Sequence, residues 1–128
     1  MIIDASALFA ALLGEPDAGR FEKSIARAWP RRMSTVALLE AAMVVESRGG
    51  QRAGQALDEL LEKAEIQLVP VTSEHASAAR RAWRRFGKGN HPAALNFGDC
   101  FAYALAEATG EPLLFNGKDF ARTDVEAA

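Results

Sequence analysis

Four carboxylates in this chain stand where a carboxylate is costly. Asp4 ends the apolar run MII, and Glu40 lies inside VALLEAAMVV. Asp99 is in the first turn of the helical pattern NFGDCFAYALA, and Asp119 follows the apolar run PLLF. An ionised carboxylate in apolar surroundings needs a partner. No basic residue stands three or four positions from Glu40, so no ion pair along its own helix satisfies it. Taken singly, each acid has a plain structural use. Asp4 can cap the helix that follows, and Glu40 can reach solvent or a distant Arg. Asp99 suits the positive end of a helix dipole, and Asp119 suits a turn. Taken jointly, acids that converge must either share protons at raised pKa or take up a divalent cation. Hard oxygen donors suit Mg²⁺ or Mn²⁺. Zinc is disfavoured, because the chain has one Cys, Cys100, and two His, His75 and His91, with no zinc-site spacing. A Mg²⁺ site that keeps several waters leaves room for a phosphate, and such a site suits phosphodiester hydrolysis.

The elements that must position these acids follow from pattern. MII reads as a short buried strand. Residues 6–14 read as a helix with Ser6 as N-cap and Gly14 as stop. Residues 15–29 read as a second helix, with Pro16 in its first turn and Phe21, Ile25 and Trp29 recurring every four residues. RRMST is read as a crossing into an apolar helix over 35–50, closed by Gly49 and Gly50. Residues 51–65 form another, with Leu57, Leu60, Leu61 and Ala64 on one face. IQLVPV is a second strand. A helix over 72–87 is capped by Thr72 or Ser73, KGNHPAAL is a loop, and residues 96–110 are a helix ending at Gly110. PLLF is a third strand, and a tail of turns follows. Strands separated by helices predict an α/β domain with a mostly parallel sheet. Ligands in such sheets gather beyond the carboxyl ends of the strands, which is where Asp4 and Asp119 fall.

With 128 residues and 49% apolar content, the chain suits one domain with a proper core. The single Cys excludes an internal disulfide framework and fits a reducing compartment. No segment approaches a membrane span, and the N-terminus lacks the pattern of a secretory signal, so a soluble cytoplasmic protein is expected. The net charge of −2 gives no support for nucleic-acid binding, so such a partner depends on where the charges sit. ARRAWRRFGKGNH places Arg80, Arg81, Arg84, Arg85 and Lys88 on one broad helix face, opposite Ala79, Trp83 and Phe86. This face is either solvated or a phosphate-contact surface for RNA. Trp83 and Phe86 are expected in the core. The loop leading into Asp99 could shape substrate choice. The amphipathic segment 15–29 and the helix around Met43, Val44 and Val45 are candidates for a groove that takes a partner helix.

The blocks MIIDASALFAALLGEPD, MSTVALLEAAMVVESR and LNFGDCFAYALAEATGEPLLFNGKDFARTD together resemble a PIN-domain ribonuclease of the VapC toxin type. The resemblance covers essentially the whole chain, and the closing block is its most specific part. It implies a three-layer α/β/α sandwich with a parallel central sheet. It also implies an Mg²⁺- or Mn²⁺-dependent endoribonuclease, inhibited by a cognate antitoxin and often dimeric. By position, the family's acids fall on Asp4, Glu40, Asp99 and Asp119, with Asp124 as the alternative fourth. The hydroxyl two places after the first acid falls on Ser6. Relatives commonly carry Asn where this chain has Lys118, which could add a cation near the site. The implied reaction is attack by metal-activated water, leaving 5′-phosphate and 3′-hydroxyl ends, with Asp4 and Asp99 holding the main ion and Ser6 supporting a carboxylate or a metal water.

Other readings compete. Phosphohydrolases that use the acid after the first strand as a nucleophile want a second acid where this chain has Ser6. A receiver-like domain would need an acceptor Asp ending a central strand, and IQLVPVTS supplies none. A silent PIN-like interaction domain would be expected to lose acids. A two-histidine ribonuclease would need His75 and His91 at one phosphate, although one opens a helix and the other lies in a loop.

Overall fold

A computed structural model describes residues 1–128. Its elements run β1 (Ile2–Ile3), α1 (Ala5–Leu12), α2 (Ala18–Arg27), β2 (Arg32–Ser34), α3 (Thr35–Lys63), β3 (Gln67–Val69), α4 (Ser73–Phe86), α5 (Phe97–Thr109) and β4 (Leu113–Leu114), with a closing 3₁₀ turn, Phe120–Arg122. All strand pairings are parallel, in the order β3-β2-β1-β4.

Successive residues of a strand point to opposite faces, and that alternation divides the core. Ile2 and Leu113 pack with Ala78, Ala82, Phe86, Tyr103 and Leu105 from α4 and α5. Ile3 and Leu114 pack with Leu8, Phe21, Ile25, Ala37 and Leu57 from α1, α2 and α3. The result is the expected three-layer α/β/α sandwich. The chain builds outward from β1 through β2 to β3, then returns through α4 and α5 to place β4 on the other side of β1. The strand order therefore reverses between β1 and β4, and the crevice beyond their carboxyl ends is where such sheets bind ligands.

The register of β1 is held at both ends. The amino terminus donates to the Pro30 carbonyl at 2.9 Å and pairs with Glu111 at 2.7 Å. Glu111 also pairs with Arg32 on β2. At the other end the Asp4 amide donates to the Leu114 carbonyl at 2.9 Å.

Several sequence expectations need correction. RMS, Arg32–Ser34, is a strand, not a mere crossing, because Met33 and Ser34 are buried between β1 and β3 while Arg32 reaches out to Glu111. Three residues with a leading arginine give no alternation to read. The second helix starts at Ala18 with Asp17 as its N-cap, so Pro16 lies in the turn before it. That helix stops at Arg27, and Trp29 is exposed. The residue before a proline is disfavoured in helical geometry, and Pro30 follows directly. The first helix is capped by Asp4, not Ser6. Trp83 is 50% exposed, although its helix neighbours Ala79 and Phe86 are buried as expected. The break expected at Gly49 and Gly50 is present: within Thr35–Lys63 the backbone leaves helical geometry at Gly50, whose φ of 68° and ψ of −164° only glycine adopts readily, so two helical segments meet there at a kink.

No helix is long and apolar enough to cross a membrane. Phe21 is fully buried between α1, α2 and α3. Phe21→Ala should therefore destabilise the fold by about 3–5 kcal/mol, read as a lower denaturation midpoint at unchanged slope.

Candidate active site

The end of β1 delivers Asp4 to the switch point almost wholly buried, at 1% exposure. Its Oδ2 accepts from the Ser6 amide at 2.9 Å and from the Ser6 hydroxyl at 2.6 Å. This makes Asp4 the N-cap of α1. The other oxygen, Oδ1, is buried and has no hydrogen-bond partner. One carboxylate thus carries the capping use read from sequence through Oδ2, and Oδ1 is left bare. Ser6 couples the strands as well. Its hydroxyl oxygen accepts from the Asn116 amide at 3.0 Å, tying the start of α1 to the chain leaving β4. The Asn116 side chain in turn donates to Glu15 at 2.8 Å.

Asp99 arrives from the opposite layer. It is the third residue of α5, in a reciprocal capping box with Asn96. The Asp99 amide donates to Asn96 Oδ1 at 2.8 Å, and the Asn96 amide donates to Asp99 Oδ2 at 2.9 Å. Glu40 comes from the second turn of α3, half-buried and in no ion pair or hydrogen bond. Its carboxylate occupies the space above Gly98. A Cβ there would stand 2.7 Å from Glu40 Cδ and closer still to its oxygen, so the glycine keeps that place open. Asp119 follows β4 as the residue before the 3₁₀ turn, exposed and without a side-chain cap bond.

Asp4, Ser6, Glu40, Asp99 and Asp119 line one cavity of about 150 Å³, with Phe9, Asn96, Asn116 and Phe120. The acids ring the cavity rather than meet at a point: no three His, Cys, Asp or Glu side chains form a ready-made ion site. Burial raises the Asp4 carboxyl above its usual range, against its bonds from Ser6, with Asp119 adding to the rise. Glu40 is raised by burial and then by Asp4. Asp99 is raised to about 7, by burial first and then by Asp4, Glu40 and Asp119, against the Asn96 amide bond.

Asp124 lies elsewhere. It accepts from the Tyr103 hydroxyl at 2.6 Å and pairs with Arg85 at 3.2 Å, and those partners hold it below the usual carboxylate range. Lys118 is exposed and does not line the acid cavity. His75 Nδ1 accepts from the Thr72 amide, and His91 Nδ1 accepts from the Ala93 amide. Neither reaches the acids. The five cations of α4 and its following turn are all exposed. Arg81 is paired with Glu107 at 3.7 Å and Arg85 with Asp124, while Arg80, Arg84 and Lys88 are in no ion pair. Sequence reading missed Asn96, Gly98 and Asn116. Asn96 had a legible signal, an N-cap residue three places before an acid; Asn116 and Gly98 depend on contacts across the fold.

The PIN domain family profile matches residues 1–126. The chain belongs to the PIN domain family. Among relatives, a protein named Ribonuclease VapC from Mycolicibacterium smegmatis is 53% identical over 127 residues, spanning 99% of this chain and 98% of the relative. Ribonuclease VapC30 of Mycobacterium tuberculosis is 51% identical over 125 residues, spanning 98% and 95%. In structure, the PIN chain superposes on VapC20 of Mycobacterium tuberculosis, described as a sarcin–ricin loop cleaving toxin, with a TM-score of 0.80 at 20% identity, covering 99% of this chain and 97% of that one. It also superposes on a toxin–antitoxin complex from Klebsiella pneumoniae, with a TM-score of 0.69 at 16% identity, covering 99% and 95%.

The raised acids set a pH dependence. Between the ordinary Asp value of 3.8 and about 7, folded Asp99 keeps a proton that the unfolded chain has lost. Stability of the cation-free PIN domain therefore falls as pH rises through this window. Thermal melts in EDTA should show a lower Tm at pH 8 than at pH 5, and Asp99→Asn should flatten that trend.

Proposed function

We infer that this PIN domain is an endoribonuclease of the VapC kind, the toxin of a toxin–antitoxin pair, hydrolysing RNA phosphodiester bonds at the acid cavity. One observation carries this reading: Asp4, Glu40, Asp99 and Asp119 come from both helical layers and two strand ends to line a single small cavity at the sheet's switch point. The whole-length identity to named VapC ribonucleases supports it.

The donor set fits Mg²⁺ or Mn²⁺. It is all oxygen, and the bare, buried Asp4 Oδ1 calls for a cation. Mg²⁺ typically takes one or two carboxylates and keeps its waters, so a ring of spaced acids suits it better than a tight nest. We assign Asp4 and Asp99 to hold the ion, with Glu40 and Asp119 completing the ring. Asp124 is committed to Tyr103 and Arg85, which supports Asp119 as the fourth acid. When bound, the ion would supply Lewis-acid stabilisation of the phosphate and a more acidic water. The chain's own groups do the positioning. Ser6 fixes Asp4 through Oδ2, Asn96 fixes Asp99 through Oδ2, and Gly98 leaves Glu40 its place.

Arg80, Arg84 and Lys88 are the α4 cations we assign to RNA phosphates, since Arg81 and Arg85 are partly neutralised. Action in the cytoplasm, inhibition by an antitoxin and pairing of two copies belong to the same reading. The exposed Leu39 and Met43, 61% and 64% accessible and beside Glu40, suit a protein partner because such apolar patches mark interaction surfaces.

In a cleavage assay on structured RNA, Asp4→Asn should lower the rate by about 10²-fold or more while the circular dichroism spectrum is kept. EDTA should abolish cleavage and excess Mg²⁺ or Mn²⁺ should restore it. Asp124→Asn should keep the rate within a few-fold and lower Tm instead. Cleavage that survives Asp4→Asn or EDTA would refute the assignment.

A further inference from the structure

A second depression, about 530 Å³, lies between α4 and α5 and opens beside the acid cavity. That volume is in the range of sites that hold small organic groups. Its walls carry the aromatic rings of Trp83, Phe97 and Phe101. Trp83 is half exposed and Phe97 is 76% exposed, so wide aromatic faces meet solvent here. Phe97 is braced by Phe101, with ring centroids 5.2 Å apart at an interplanar angle of 65°. Arg80 and Lys88 stand in the same lining, exposed and in no ion pair, and no acid lines this depression. Asn96 belongs to both walls. It lines this cleft and the acid cavity, and it holds Asp99 in place.

We propose that the α4–α5 cleft is a base-binding subsite, in which an unpaired nucleobase next to the reacting phosphate stacks on Trp83 and Phe97 while Arg80 and Lys88 take the flanking phosphates. The proposal rests on reading the acid cavity as the place of RNA cleavage. Aromatic faces bordered by free cations are the surface that a single-stranded nucleotide matches, through stacking and backbone charge together. A paired base keeps both its faces inside the duplex and cannot use such a cleft. An apolar protein helix would gain nothing from two free cations; the Leu39 and Met43 face, which shares only Phe97 with this cleft and carries no cation, serves that partner better. The two cations on this side also give the strand a path. Phosphates are drawn to the α4 side and then pass the Asn96 boundary into the acid ring. The same cleft explains why Trp83 departs from the core position that its helical spacing predicts.

The test is binding of a labelled twelve-nucleotide oligoadenylate, by fluorescence anisotropy in EDTA, with the oligoadenylate–oligouridylate duplex as comparison. Without divalent ions no strand is cut, so binding is read independently of cleavage. Trp83→Ala should weaken the single strand roughly ten-fold or more and leave the duplex unchanged. Trp83→Phe should restore most of the loss. The double variant Arg80→Ala/Lys88→Ala should lower the slope of log affinity against log salt by about 1.4, the value for two phosphate contacts on a single strand. The subsite is overturned if wild type does not bind the single strand, if Trp83→Ala binds it as wild type does, or if both probes weaken alike. It is also overturned if Trp83→Ala alters only the oligomeric state in sedimentation, since the cleft then seats protein. A chain that shows the stacking series but never cuts RNA with Mg²⁺ keeps the subsite and loses the ribonuclease reading. A chain that cuts but shows no stacking series does the reverse.

Discussion

The buried carboxylate of Asp4 is the constraint around which the rest is arranged. A charge at the end of a central strand is tolerable only if its oxygens are answered. The fold answers one of them from close by: the amide and hydroxyl of Ser6 both reach Oδ2. Oδ1 is left with nothing. With no cation bound, the carboxyl must either hold a proton or bear the desolvation. With Glu40, Asp99 and Asp119 around the same small space, each added charge makes the next less favourable. The apolar layers supply the stability that lets this ring of acids stand.

That dependence explains details which are otherwise disconnected. The Met1–Glu111–Arg32 network at the far end of β1 holds the strand in register, and a slip of one residue would turn Asp4 into the opposite layer. Ser6 links the helix after β1 to the backbone after β4, so the two strand ends that bear Asp4 and precede Asp119 move as one. Asn96 and Gly98 do for the opposite layer what Ser6 does for the first. One orients Asp99, and the other leaves a gap that Glu40 fills. A nuclease site of this sort needs its acids rigid before any ion or substrate arrives, since positioning is most of what a protein contributes to phosphoryl chemistry.

The division of charge over the surface also acquires a meaning. A net charge of −2 conceals an acid ring on one side of Asn96 and free cations on the other. Of the arginines on α4, two are neutralised by Glu107 and Asp124, so counting basic residues along the sequence overstates the positive face. Tyr103 and Arg85 take Asp124 out of contention in the same way, by giving its carboxylate partners of its own.

Sequence by itself determined the layer architecture and singled out the acids as unusual. Helices recur between apolar runs, and a carboxylate set among apolar residues without a local partner is conspicuous wherever the chain folds. The long apolar and amphipathic segments were legible because periodicity over ten or more residues is a strong signal. Short elements were not. Arg32–Ser34 became a strand because parallel neighbours on both sides could pair with it, which no local pattern records. Trp83 sits at a core spacing, yet it is half exposed and lines the cleft between α4 and α5. The meeting of Asp119 rather than Asp124 with the other acids in one cavity, the bare Asp4 Oδ1, and the places made by Asn116 and Gly98 were decided by tertiary structure alone. Each depends on which groups 21 to 110 residues apart come into contact, and hydrogen bonds at that separation leave no trace in local sequence.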